Sequence, residues 1–121
     1  MTMIAMTNVT RDSLAAFMEE GFRVLGLSEP DARTFAEALI FSELRFHPGH
    51  GQGVKRLRRY HERISRKLVD PAAWWEVVKE SPALALVDAH NGIGTVAAAR
   101  AMTLAIQKAK ICGIGQVVVR N

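Results

Sequence analysis

Apolar positions recur with helical spacing up to about residue 70 and gather into short unbroken runs beyond it, a pattern that predicts helices first and then alternating strand and helix. Thr10 is placed to cap a helix over about 11–25, in which Leu14, Phe17, Met18, Phe22 and Leu25 follow helical spacing and Gly26 provides the stop. Ser28-Glu-Pro-Asp31 has the form of a capping box with proline in the first turn. Behind it, Ala32, Phe35, Ala36, Leu39 and Ile40 recur at i, i+3, i+4, i+7 and i+8. This second helix must end near His47-Pro-Gly-His50-Gly-Gln-Gly53, because proline excludes helical backbone before it and the glycines loosen the chain after it. Val54, Leu57, Ile64 and Leu68 support a third helix over 54–68, ended by Asp70-Pro71. Trp74, Val77 and Val78 lead through Ser81-Pro82 to Ala83–Val87, read as a strand, and 88–94 is a turn. A fourth helix over about 95–111 carries Val96, Ala99, Met102, Ile106 and Ala109, and Gly113 closes it. The strand Gln116–Val119 is unbroken in its apolarity and is therefore expected to be buried on both faces.

The expected fold is α/β: an N-terminal three-helix region, 1–70, with a His/Gly-rich loop at 47–53, then strand, helix and strand at 71–121. The second part is the start of an α/β domain whose sheet is completed by another chain or by missing sequence. At 121 residues and 49% hydrophobic the chain has room for one modest core, and it has no repeat or low-complexity tract. The start Met1-Thr-Met-Ile-Ala-Met lacks the basic residues of a signal peptide, and no segment approaches the roughly 20 apolar residues of a membrane span. A cytoplasmic protein with no membrane contact is expected. The single cysteine, Cys112, excludes an internal disulfide and is read as a buried, inert thiol.

Charge changes this picture at one place. Eight of the sixteen basic residues fall between Arg45 and Lys67, where Glu62 is the only acid. A nucleic-acid surface, an anionic substrate or cofactor phosphate, and an acidic partner are the candidates. Basic helices are usually solvated faces whose long stems cover apolar surface, so no nucleic acid is expected. Gly92-x-Gly94-x-x-Ala97, between strand and helix, has the glycine spacing of a dinucleotide fingerprint, but Ile111–Gly115 stand where a strand with a terminal acid belongs, and a tight turn is the preferred reading. His47 and His50, three residues apart, lack the third and fourth ligands a metal needs, so no metal is expected. A histidine on a polar loop flanked by arginines suits general acid chemistry on an anionic substrate.

At this loop the sequence resembles the malate/lactate/ureidoglycolate dehydrogenase family. Glu43-Leu-Arg45-Phe-His47-Pro-Gly-His50-Gly51, then Val54-Lys-Arg56-Leu57 and Tyr60, is similar to the family's D-L-R-G-H-D-S-H-G-V-x-R-L-P-x-Y. Leu68-Val-Asp-Pro71 resembles L-V-N-P, and Ala83–Gly94 resembles A-T-A-L-V-D-G-D-N-G-L-G. Ala101-Met102 through Lys108-Ala109 and Gly113-Ile-Gly115 resemble A-M-x-x-A-I-x-K-A-x-x-x-G-V-G. The resemblance implies an NAD(P)-dependent oxidoreductase acting on small 2-hydroxy or 2-keto acids or cyclic imines. It makes His50 the catalytic proton donor or acceptor, with Arg45, His47 and Arg56 near the substrate. NAD or NADP would be bound mainly by sequence absent here, in a two-fold oligomer.

Three departures accompany it. Gly49 replaces the family's serine, Gln52-Gly53 are inserted, and the sequence stops at Asn121, where the family continues with S-N-H-F-G. Truncation, a separately encoded partner chain and a precursor cut after Asn121 all explain the stop. The last makes Asn121 a candidate cleavage boundary and defines an alternative function: the smaller subunit of a self-cleaved amide hydrolase acting on an amide substrate, without cofactor, its Ser, Thr or Cys nucleophile opening the partner chain.

Overall fold

Two capping residues start the first two helices as their sequences predict. In this computed structural model, which describes residues 7–45 and 53–121, α1 spans Arg11–Val24, and Thr10 Oγ1 accepts a hydrogen bond from the Ser13 amide. α2 spans Glu29–Leu44, and Ser28 Oγ accepts from the Asp31 amide. Gly26, at φ +103°, makes the left-handed turn that separates them. α3 spans Lys55–Ser65, shorter than the expected 54–68, because Lys67 turns to φ +56° and the Leu68 amide folds back on the Arg63 carbonyl.

The core lies where the three helices meet. Met18, Phe22, Phe35, Ala36 and Ile40 are almost wholly buried, with Leu57, Tyr60 and Ile64 of α3 packed against them. The Phe22 and Phe35 rings stand 4.4 Å apart, and Tyr60 meets Phe35 edge-on at 4.8 Å.

The second half contains a strand that the sequence reading lacked. β1, Glu76–Glu80, pairs antiparallel with β2, Leu84–Asp88; β2 pairs parallel with β3, Gln116–Arg120, and the order is β1-β2-β3. β1 escapes the alternation rule because its register shifts between Val77 and Lys79 and its side chains are mostly exposed. α4, Gly94–Cys112, makes the crossover between the parallel strands and ends at Gly113, φ +80°. Ile93 and Val96 join the helical core, so one apolar cluster draws on both halves of the chain. Both carboxylate oxygens of Asp31 accept from Arg100 Nη2 at 2.7 Å. Lys108, nearly buried, donates to Glu80 and to the Ser81 carbonyl and ties α4 to β1.

Two burial expectations are corrected. β3 is not buried on both faces: among its residues only Val117 is even half-buried, because no described strand pairs with its outer edge and the sheet face bearing Leu84 and Val118 lies uncovered. Cys112 is exposed, not buried, since it ends α4 next to the equally exposed Ile111.

Candidate functional site

His47 and His50 stand in sequence between α2 and α3. Both histidines lie outside the described residues; the two ends of the loop do not. Arg45, the C-terminal cap of α2, folds its guanidinium over the Phe41 ring at 3.4 Å and donates to the Phe41 carbonyl. At the other end the Gly53 amide donates to Glu43 Oε2 at 2.6 Å. Gly53 sits so close that an added Cβ would lie 2.8 Å from that oxygen and 3.0 Å from the Leu39 carbonyl. Glu43 therefore staples the loop's exit to the helix from which the loop departs. Arg56, in the first turn of α3, is half-buried and makes no side-chain hydrogen bond among the described residues. The sequence reading thus placed Arg45 and Arg56 at the two ends of one loop and overlooked the carboxylate that joins those ends. A glycine beyond the loop and an acid one turn before the helix stop were the available signals.

A second cluster gathers at the carboxyl ends of the parallel strands β2 and β3. Asp88 ends β2 with 5% of its surface exposed. Its Oδ1 accepts from the His90 amide at 2.9 Å, and its Oδ2 accepts from Arg120 Nε and Asn121 Nδ2, both at 3.0 Å. The His90 amide, followed by Asn121 and Arg120, holds this carboxyl below its ordinary range against the opposing effect of burial. Two backbone bonds close the same junction, Ala89 N–H to the Arg120 carbonyl and Asn91 N–H to the Asn121 carbonyl. The His90 ring stacks on Trp74 at 4.0 Å and meets Glu76 at 3.2 Å. Asn121, the candidate cleavage boundary, is held here at φ +65°.

The dinucleotide test turns on Gly92 and Gly94. An added Cβ at Gly92 would lie 2.9 Å from the Ala73 Cβ and 3.0 Å from the Ala89 carbonyl, so this glycine serves close packing inside a turn. The adjoining cavity, about 20 Å³, is lined by Asp31, Asp70 and Trp74 among others. That is space for a water and too small for a phosphate, and Arg100, which lines the same cavity, is already taken up by Asp31. The described residues of this turn do not fit a pyrophosphate. No group of three metal-ligating side chains occurs among the described residues. None of the helices described is long and apolar enough to cross a membrane.

Residues 9–121 match the family described as malate/L-lactate dehydrogenase. The malate dehydrogenase of Pyrococcus horikoshii is 40% identical over 113 residues, which are 93% of this chain and 31% of that protein. Its solved structure superposes with a TM-score of 0.88 at 39% identity, covering 95% of this chain and 32% of that one. L-sulfolactate dehydrogenase of Methanocaldococcus jannaschii is 38% identical over 79% of this chain and 27% of its own. The structure of delta1-piperideine-2-carboxylate reductase from Pseudomonas syringae superposes with a TM-score of 0.80 at 30% identity, covering 95% of this chain and 34% of that one. The chain thus spans about a third of the length of these relatives. All three are oxidoreductases by name, and the amide-hydrolase alternative finds no support among them. With matched residues reaching from the start of α1 to the end of β3, the chain belongs to the malate/L-lactate dehydrogenase family.

Proposed function

We propose that this chain is the N-terminal part of an NAD(P)-dependent oxidoreductase of small 2-hydroxy or 2-keto acids or cyclic imines. The observation that carries the reading is the family match along 9–121, supported by relatives named for malate, sulfolactate and piperideine carboxylate. Each of these substrates carries a carboxylate, and the basic loop ends supply cations for one. In this reading His50 moves the proton that accompanies hydride transfer. Arg45, His47 and Arg56 bind or orient the substrate, and Glu43 holds the loop closed at its base. NAD or NADP, which supplies the hydride chemistry, is held chiefly by residues outside this chain, in keeping with the close packing at Gly92. The helical part, 1–70, and the sheet part, 71–121, belong to a cytoplasmic two-fold oligomer in which further polypeptide covers the open sheet.

The test is a spectrophotometric assay of the complete enzyme with NAD and NADP against malate, lactate, sulfolactate and piperideine-2-carboxylate. Turnover of at least one substrate is expected, and His50→Gln should lower kcat by about 10²–10⁴-fold, the usual contribution of a positioned acid or base. A wild-type enzyme inert toward all four defeats the reading. Unchanged kcat in His50→Gln removes His50 from the proton-transfer role.

A further inference from the structure

We propose that Asp88 is a positioning residue of this enzyme: its carboxylate locks the end of β3 to the turn after β2 and so fixes the backbone at the edge of the active centre. The inference rests on the oxidoreductase reading for its catalytic consequence and on geometry for the lock.

The geometry is specific. Asp88 and Arg120 are register partners, each the last residue of its strand. One carboxylate oxygen serves the turn through the His90 amide; the other serves the neighbouring strand through Arg120 Nε and Asn121 Nδ2. The Ala89 and Asn91 amides continue the pairing past the strand ends onto the Arg120 and Asn121 carbonyls. The turn that meets the end of β3 holds two consecutive residues at positive φ, His90 at +47° and Asn91 at +62°. His and Asn enter this region more readily than most residues, but two in succession are held there where the surroundings fix them. A buried carboxylate with three donors does so here. The location matters because open α/β sheets bind their ligands beyond the carboxyl ends of parallel strands. Asp88 lies at that edge, yet its oxygens are occupied by protein donors. Its effect on the reaction therefore passes through residues 89–91 and 120–121.

The discriminating variant is Asp88→Asn in the complete enzyme. The amide retains an acceptor for His90 N–H but sets an N–H against the donors of Arg120 and Asn121, loosening the β3 end and leaving the turn. A misplacement of about 1 Å costs on the order of 10²-fold in rate. A kcat fall of about that size is expected, with KM for the hydroxy acid changed less than about threefold, as for loss of an interaction felt in the transition state. The exchanged pair Asp88→Asn with Asn121→Asp restores a hydrogen bond between the two side chains with donor and acceptor reversed, and should recover at least about tenfold of the loss. Amide hydrogen exchange at Ala89 and Asn91 should accelerate in the single variant and slow again in the exchanged pair.

An active wild type whose Asp88→Asn form keeps kcat within about twofold, or whose exchanged pair recovers nothing, overturns the positioning role and leaves the oxidoreductase reading intact. An inactive wild type defeats that reading and with it the catalytic consequence. The exchange rates then decide the lock alone, with acceleration upholding it and unchanged rates overturning it.

Discussion

Asp88 shows at the scale of one residue how a site can be invisible in sequence. Its partners stand at 90, 120 and 121, and no spacing rule joins a turn to a strand more than thirty positions away. The sequence marks it only as a carboxylate opening a turn, a type favoured there because it accepts from its own backbone two residues on, and the His90 amide confirms that much. The loop residues reverse this case: the family pattern nominates His50, His47, Arg45 and Arg56 from sequence alone, with both histidines outside the described residues, while the structure adds Glu43, bound to the Gly53 amide. Because hydrogen bonds hold the folded Asp88 pKa below its ordinary value of about 3.9, the carboxylate stabilises the fold above that value. That contribution disappears as pH falls through the folded pKa. The melting temperature of the wild type is therefore expected to exceed that of Asp88→Asn at pH 7, with the gap closing as pH drops below about 4. A gap that stays constant in thermal melts across that range would place the stabilisation elsewhere.

Elements were legible where a local signal starts or stops them. Thr10 and Ser28 cap α1 and α2, Gly26 and Gly113 end α1 and α4, and the apolar rows of α1 and α2 form the core except for Phe17, which is exposed. β1 was not, because a shifted register and exposed side chains erase the alternation that marks a half-buried strand. Nor was the exposure of β3, since unbroken apolarity reports what a strand requires when covered and not what covers it. The three-helix junction depends on Phe35, which is 1% exposed and touches Phe22 on one side and Tyr60 on the other. Phe35→Ala leaves a cavity between α1, α2 and α3 and should destabilise by about 3–5 kcal/mol, measured by urea unfolding. A loss below about 1 kcal/mol would mean that α3 collapses into the space instead.

Over the whole molecule, charge is divided unequally. All twelve acids of the sequence have a partner in the structure: nine form ion pairs with arginine or lysine, Glu76 meets the His90 ring, Glu43 holds the Gly53 amide, and Asp70 holds the Ala72 amide. Between Lys55 and Lys67 only Arg58 is paired among the described residues, with Glu62, so the net charge of +4 resides largely on α3 and its C-terminal turn. The sequence reading located this excess; apart from Glu62, every acid is engaged outside α3, which explains why the excess is not neutralised within the chain. Lys55, Arg59 and Arg63 follow one another at i, i+4 and i+8, where each like-charged neighbour costs about 0.2–0.5 kcal/mol. Arg59 is exposed, its side chain is in no ion pair among the described residues, and its two i,i+4 neighbours are both cations. Arg59→Gln should therefore raise stability by about 0.5 kcal/mol at low ionic strength, a shift readable in thermal melts. Near 1 M salt, where the screening length is about 3 Å, the difference should vanish. If Arg59→Gln instead lowers the melting temperature equally at both salt concentrations, the aliphatic stem of Arg59 contributes through packing, and the repulsion along this helix is already relieved by water.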